Sequence, residues 1–417
     1  MVPTRREFLG AGAAIAAALH APLVHAAGDD VLKVGLIGCG GRGTGAAEQA
    51  LNADPNVKLV AMGDAFPDRL QSSLKVLSKS HPEKIDVKEE NCFVGFDAYK
   101  GVIAASDVVL LCEPPHFRPA HLKAAVDAGK HVFAEKPVAV DAPGVRSVLA
   151  SCEEAKKKSL SVVSGLCLRY STGFREMMKR VHGGEIGEVV ALQANDYRGG
   201  RWSRPRKPEW SDMTWHMRNW YNFTWLSGDF NVEQHVHYLD VCAWAMKDQY
   251  PVRAIGMGGR QVLSEPEYGN IYDHFSIVYE YASGAKMFSN TRQHKNCKTD
   301  MSAVAIGSKG RALISEGRLT ISGEKPWEHQ GKDKNIYQVE HDEFFASIRS
   351  GKPINNGEYM SKSSLMAIMG RMAAYTGQQI GWEQALNSKE DLTPSKYDWE
   401  LAIEMPPVAT PGVTKFF

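Results

Sequence analysis

The run Gly38-Cys39-Gly40-Gly41-Arg42-Gly43 constrains the fold of this chain more than any other feature. It follows the apolar stretch Val31–Ile37 and precedes the small-residue helix pattern Thr44–Asn52. A strand, a glycine turn and a helix in that order form the first half of a dinucleotide-binding βαβ unit. The first glycine makes the tight turn, the second lets backbone approach a pyrophosphate, and the third lets helix and strand pack closely. The spacing alone is a weak signal, but a second apolar run, Val57–Gly63, ends in Asp64, an acidic residue at the distance such units place one. A carboxylate there accepts hydrogen bonds from ribose hydroxyls and repels a 2′-phosphate, so NAD is favoured over NADP; Arg69, five residues on, is the one feature pointing to NADP.

The alternation continues with strands at Val108–Cys112 and His131–Ala134 and a helix at Ala120–Ala128. Continuous apolar strands separated by helices predict a parallel sheet covered on both faces. From about Leu160 the texture changes, and the runs Val189–Asn195, Val252–Gly258, His274–Tyr281, Lys286–Asn290 and Met301–Ile306 have strand character. Turn signals at Ser283-Gly284, Ser308-Lys309-Gly310 and Ser322-Gly323 separate several of them, and helical periodicity returns over Ser361–Gln378. The expected class is α/β: an N-terminal doubly wound parallel sheet over residues 28–157, then an α+β domain with a large, mostly antiparallel open sheet over 158–417.

Ahead of both lies Thr4-Arg5-Arg6-Glu7-Phe8-Leu9, a twin-arginine pattern, followed by an Ala-rich stretch and small residues at Ala26 and Ala27. Residues 1–27 therefore read as a twin-arginine signal peptide, which implies a periplasmic protein that crosses the membrane already folded. The apolar run falls short of the ~20 residues needed to span a bilayer. A formal net charge of +1 gives no electrostatic case for nucleic acid or an anionic membrane. Seven cysteines, without metal-ligand spacing and several within apolar runs, read as buried free thiols.

Chemistry is suggested first by Glu135-Lys136-Pro137, at the carboxyl end of the strand His131–Ala134, where open α/β sheets bind ligands. Lys136 there can hold a substrate hydroxyl or a nicotinamide ribose. Glu135, together with Pro114 and His116 beyond the strand Val108–Cys112, completes the cofactor-binding set of Gly38, Gly40, Gly41, Arg42, Gly43, Asp64 and Lys136.

These motifs resemble the Gfo/Idh/MocA oxidoreductases, NAD(P)-dependent sugar and polyol dehydrogenases with a Rossmann domain and a C-terminal α/β domain. The resemblance spans nearly all of the chain after the leader and includes exported, glucose–fructose oxidoreductase-like members that hold their cofactor tightly. One departure is Glu113, where a threonine is usual before the proline. The family's second motif falls on Gly228–Asp240, which puts His237 at the catalytic histidine, Glu233 at its acidic partner and Asp240 three residues further on; Glu233 replaces the commoner Asp and His235 a common Gly. In a helix Glu233 and His237 would share a face. A neutral imidazole can take a hydroxyl proton as hydride leaves, with Lys136 stabilising the alkoxide and Glu233 orienting the ring. Two other readings of this stretch are a Glu233–His235–His237 metal set and buried core histidines; none of these residues is assigned to a metal.

Between the two motifs, Tyr197–Trp225 holds five of the nine tryptophans, and Pro205, Pro208 and its charges predict a long loop. Arg201, Trp202, Trp220 and Tyr221 are its candidate sugar contacts, with Asp240 and the pair Arg169-Tyr170, which the resemblance puts near the active site. Aromatic faces stack on sugar C–H groups, and they also mark oligomer contacts. The leading expectation is an exported NAD-dependent enzyme oxidising a secondary hydroxyl of a sugar, polyol or glycoside, as a homodimer or homotetramer. A redox-neutral glycosidase is the alternative, although its relatives typically lack the lysine of Glu135-Lys136-Pro137, and a non-catalytic sugar-binding protein is a third reading.

Overall fold

The computed structural model describes residues 30–416, so the leader lies outside the described residues. Six strands form the first sheet: β1 (Leu32–Ile37), β2 (Val57–Asp64), β3 (Cys92–Val94), β4 (Val108–Leu111), β5 (His131–Ala134) and β6 (Val162–Ser164). Their order is β3-β2-β1-β4-β5-β6, and every pairing is parallel. The strand order reverses between β1 and β4, and in such sheets the ligand crevice opens at that point, beyond the carboxyl ends of the strands. The backbone there leaves no room for a side chain. Gly38 has φ +88°, and a Cβ on it would lie 2.4 Å from the Glu113 nitrogen. A Cβ on Gly43 would lie 1.8 Å from the Gly38 carbonyl oxygen. Helix α1 (Gly41–Ala53) starts from this turn, while α2 (Arg118–Asp127) and α3 (Ala142–Lys157) pack further along the sheet. The sheet runs on through β6, past the boundary read after residue 157.

The second sheet has nine strands in the order β14-β13-β12-β11-β7-β10-β9-β8-β15. They are β7 (Val189–Arg198), β8 (Arg253–Gly259), β9 (His274–Glu280), β10 (Lys286–Gln293), β11 (Asp300–Gly307), β12 (Gly310–Ser315), β13 (Arg318–Gly323), β14 (Trp327–Glu328) and β15 (Ile380–Gly381). All pairings are antiparallel except β7 with β10. Two short helices, α4 (Phe230–Glu233) and α5 (Val236–Ala245), are separated by Gln234 and His235. Two longer ones, α6 (Ile336–Arg349) and α7 (Gly357–Thr376), lie between β14 and β15 in the chain.

Nearly all of α7 is buried, as expected of a helix that is apolar around most of its circumference. It packs on β8 and β9 on one side and on α3 on the other. Gly370 permits that approach, because a Cβ there would lie 2.0 Å from the Tyr279 hydroxyl. Helix α6 crosses back onto α1, so the C-terminal part of the chain helps to wall the N-terminal crevice. The other face of the second sheet is open: Ile255, Met257, Phe288 and Ile306 are all exposed on it, Met257 at 71%.

One sequence expectation is corrected. The segment Tyr197–Trp225 is not one long loop: β7 runs to Arg198 and short helices occupy Asp212–Arg218 and Thr224–Ser227. Trp215 and Trp225 are buried in a small core with Met213, Phe223 and Leu226, since large rings lose too much apolar contact if left in water. The cysteine expectation holds for most positions: all seven thiols are free, with Cys39, Cys152, Cys167 and Cys242 buried and Cys297 exposed.

Candidate active site

Two clefts meet at the switch point. The first, of about 300 Å³, is lined by Gly38, Gly40, Gly41, Gly43, Asp64, Pro114 and, from the second domain, Trp202 and Trp220. Gly40 and Gly41 have open space where a Cβ would project. The amino end of α1 has no side-chain cap, so its first N–H groups are free to meet an anion. Asp64 is set by the backbone of the turn it faces: its carboxylate accepts from the Cys39 N–H at 2.7 Å and the Phe66 N–H at 2.9 Å. Burial raises its pKa, while those two N–H groups oppose the rise. A glycine cradle, uncapped N–H groups and a fixed carboxylate at one crevice suit the pyrophosphate and ribose of a dinucleotide.

The second cleft, of about 360 Å³, shares Arg42, Cys112, Glu113 and Trp220 with the first, so the two are continuous. It brings together Lys136, Glu233, Gln234, His237, Arg198 and Tyr337. Lys136 follows β5, and its Nζ donates to the Glu233 carbonyl oxygen at 2.6 Å, to Glu233 Oε1 at 3.1 Å and to Gln234 Oε1 at 3.2 Å. The break between α4 and α5 explains this geometry. It turns the end of α4 toward Lys136 and leaves His237 in the first turn of α5. Glu233 and His237 therefore reach one cleft from two helices, and the described contacts of the Glu233 carboxylate are to Lys136 instead of the imidazole. Burial, then the charges of Lys136 and Arg198, hold His237 well below the usual histidine range, and its Nδ1 is buried without a hydrogen-bond partner. A neutral imidazole beside an ammonium group can accept a proton from a hydroxyl held by that ammonium.

The fingerprint and the Glu135-Lys136-Pro137 motif are tied together. Arg42 pairs with Glu135 through its Nε, with Gln49 Oε1 at 2.8 Å and with the fully buried Glu340 of α6 at 3.3 Å. Its guanidinium also lies 4.7 Å from the centre of the Tyr337 ring. The Arg42 and Glu135 side chains are thus committed to this tie, although the Arg42 side chain also lines both clefts.

Several candidates lie outside the clefts. The Arg201 guanidinium is buried and donates to Asn222 Oδ1, the Tyr272 carbonyl oxygen and Gln293 Oε1, so it braces the segment after β7 and is not free for a sugar. Asp240 is buried under Arg169, which pairs with it at 2.8 Å and with Asp248 at 2.6 Å, and it also accepts from Ser363. The Tyr170 hydroxyl donates to Asn356 and the Tyr221 hydroxyl accepts from Gln293, both within the interior. His116 shares a hydrogen bond with Tyr397 among aromatic rings, where burial holds its pKa down at about 4. His235 meets Ser289 at 2.7 Å and burial holds it at about 3, so it is a core histidine. Of the aromatic candidates, Trp202 and Trp220 do line the cofactor-side cleft.

Arg198, Gln234, Tyr337 and Glu340 were missed. Arg198 pairs with the buried Asp196 at 2.6 Å, an i, i+2 pair on one face of β7 that strand alternation could have disclosed. Tyr337 and Glu340 come from α6, whose approach to α1 has no local sequence signal.

Residues 32–164 match the family described as "Oxidoreductase family, NAD-binding Rossmann fold", and residues 174–313 match the GFO/IDH/MocA C-terminal domain. The chain belongs to the GFO/IDH/MocA oxidoreductases. Among curated members, an inositol 2-dehydrogenase of Rhizobium meliloti is 24% identical over 336 residues, covering 78% of this chain and 90% of that one. A myo-inositol 2-dehydrogenase of Thermotoga maritima is also 24% identical over 336 residues, covering 77% and 90%. The fold is shared with the aldose–aldose oxidoreductase of Caulobacter crescentus, solved with glycerol, at TM-score 0.66 and 19% identity over 84% of this chain and 99% of that one. As a GFO/IDH/MocA oxidoreductase the chain binds NAD in its N-terminal domain, and its second domain supplies most of the polar groups that close the second cleft.

Proposed function

We propose that this oxidoreductase oxidises a secondary hydroxyl of a sugar or polyol against tightly held NAD, in the periplasm, after twin-arginine export. The observation that carries the reading is the meeting of Lys136 and His237 in a cleft continuous with the glycine cradle. Nicotinamide, when bound, supplies the hydride acceptor. Lys136 Nζ holds the substrate oxygen and stabilises its developing charge. The His237 imidazole takes the hydroxyl proton, and Glu233 with Gln234 fixes the lysine by three hydrogen bonds. Arg198, Tyr337 and Trp220 are the side chains placed to select the polyhydroxylated substrate, which agrees with the names of the inositol and aldose relatives. The leader at residues 1–27 supports export, and a folded protein exported with its cofactor has no need of free NAD outside. The open apolar face of the second sheet supports a homodimer or homotetramer.

Asp64 favours NAD, although Arg69 and Arg204 share its cleft and carry the charge a 2′-phosphate needs. The Asp64→Ala variant is expected to bind NAD about ten- to a hundredfold more weakly and to discriminate less against NADP, as measured by titrating both into cofactor-stripped protein. Unchanged NAD affinity would remove the ribose contact.

The activity itself is tested by incubating the protein, with its bound cofactor, with free polyols, aldoses and aryl glycosides. Near-UV absorbance reports nicotinamide reduction while aglycone release is followed in parallel. Stoichiometric reduction by a polyol or sugar without aglycone release is expected. Catalytic aglycone release without net reduction would replace the dehydrogenase reading with redox-neutral glycoside cleavage.

A further inference from the structure

At the end of the second sheet remote from the β14 edge, three potential metal-binding side chains converge away from both clefts. Asp273 immediately precedes β9, His274 opens it, and His294 follows the last residue of β10. Asp273 Oδ1 lies 2.8 Å from His274 Nδ1 and 3.2 Å from His294 Nε2, and one donor atom from each residue falls within 4.8 Å of the others. We propose that Asp273, His274 and His294 bind a divalent transition-metal ion of the zinc class, which clips the β9–β10 end of the sheet.

Two imidazoles and a carboxylate are a donor set that zinc takes, with bonds near 2.0–2.1 Å that hold tetrahedral donors roughly 3.3 Å apart. The separations of Asp273 Oδ1 from the two ring nitrogens, 2.8 and 3.2 Å, lie close to that value. The carboxylate is already oriented for the task. Its Oδ2 accepts from the N–H groups of Gln261, Val262 and Leu263 at 3.0, 2.7 and 2.9 Å, leaving Oδ1 to face the rings. Outer hydrogen bonds of this kind aim a ligand oxygen and keep it anionic.

His294 is the second, independent sign. Its Nε2 is buried and close to Oδ1, yet is not aligned as a hydrogen bond and has no other partner. A ring nitrogen buried without a partner loses hydration for nothing in return, whereas a cation shared with Oδ1 would satisfy it. The His274 side chain is 37% exposed, which gives an ion a path in and leaves an outer coordination position toward solvent.

Such an ion would act as a clip and not as a reagent. Tyr272 and Gln293, the residues just before Asp273 and His294, both accept from Arg201. Arg201 in turn braces the segment that carries Trp202 to the cofactor-side cleft. Metal binding would therefore stiffen the second domain's contribution to that cleft from behind.

The test uses the full chain without an affinity tag, treated with a chelator and exchanged into metal-free buffer, with zinc chloride titrated in by calorimetry. One saturable zinc ion per chain is expected, with a rise in Tm on saturation. The double variant His274→Ala/His294→Ala is expected to lose the saturable phase and the Tm rise. Asp273→Asn keeps an oxygen for the three N–H groups but removes the anionic ligand, and is expected to lose zinc as well; NAD retained by both variants shows that they are folded. Absence of one-to-one binding by the parent chain, or zinc binding by the folded variants equal to that of the parent, overturns the proposal.

Discussion

His237→Ala is expected to lower turnover by a factor of about 10²–10⁴, the contribution of a positioned base, while the chain still carries NAD. The imidazole lines the second cleft and not the glycine cradle, so its removal leaves the cofactor contacts in place. The loss should fall on kcat more than on KM, because proton removal is needed only as the hydroxyl is oxidised. The pH profile adds a second readout. Burial, together with Lys136 and Arg198, lowers the His237 pKa well below its ordinary value. A base with a lowered pKa is already deprotonated at pH 6.5, so the acid limb of kcat should lie below that pH and the rate should stay flat through neutrality. Turnover within a few-fold of the parent chain, or an acid limb near pH 6.5, would remove His237 as the base.

Arg42→Ala is expected to destabilise the protein by about 3–5 kcal/mol, the usual result of leaving buried carboxylates without their cation. Glu340 is fully buried and Glu135 nearly so. Burial and then the negative charge of Glu135 push the Glu340 pKa well above its ordinary value, and Arg42 pulls it back. Removing the arginine raises it further. A carboxyl group whose folded-state pKa exceeds its unfolded value of about 4.3 adds stability in acid, where it is protonated, and loses it as pH rises through the folded value. The destabilisation should therefore be small near pH 4.5 and grow toward neutral pH, as followed by urea denaturation across that range. A loss independent of pH would mean that Arg42 serves packing alone. NAD affinity should fall in the same variant, since the tie positions α1 against the end of β5.

Much of the molecule could be read from local pattern because its physical causes are local. A glycine turn that excludes Cβ at Gly38 and Gly43, an acidic residue at the end of the next strand and a lysine at the end of β5 are each defined by a few neighbouring residues, and all fall on the clefts. The reading failed where a side chain's partner lies far along the chain. Arg201 looked like a sugar-binding donor in an exposed loop, but Asn222, Tyr272 and Gln293 surround it. Asp240 and Arg169 looked like site residues because the family resemblance puts them near the active site, yet they satisfy one another in the interior. The helical pairing expected for Glu233 and His237 gave way to two short helices, and it is the break at Gln234–His235 that lets Glu233 hold Lys136.

Hydrophobic periodicity and backbone sterics were therefore enough to specify two domains, a parallel sheet with a dinucleotide crevice and the residues at its mouth, since both act over a few residues. Tertiary structure decided which charges are spent on the scaffold and which face the clefts. A buried ion must find its counter-charge wherever the chain brings one within about 3 Å, and at Arg42 and Arg169 that partner came from another element of the fold.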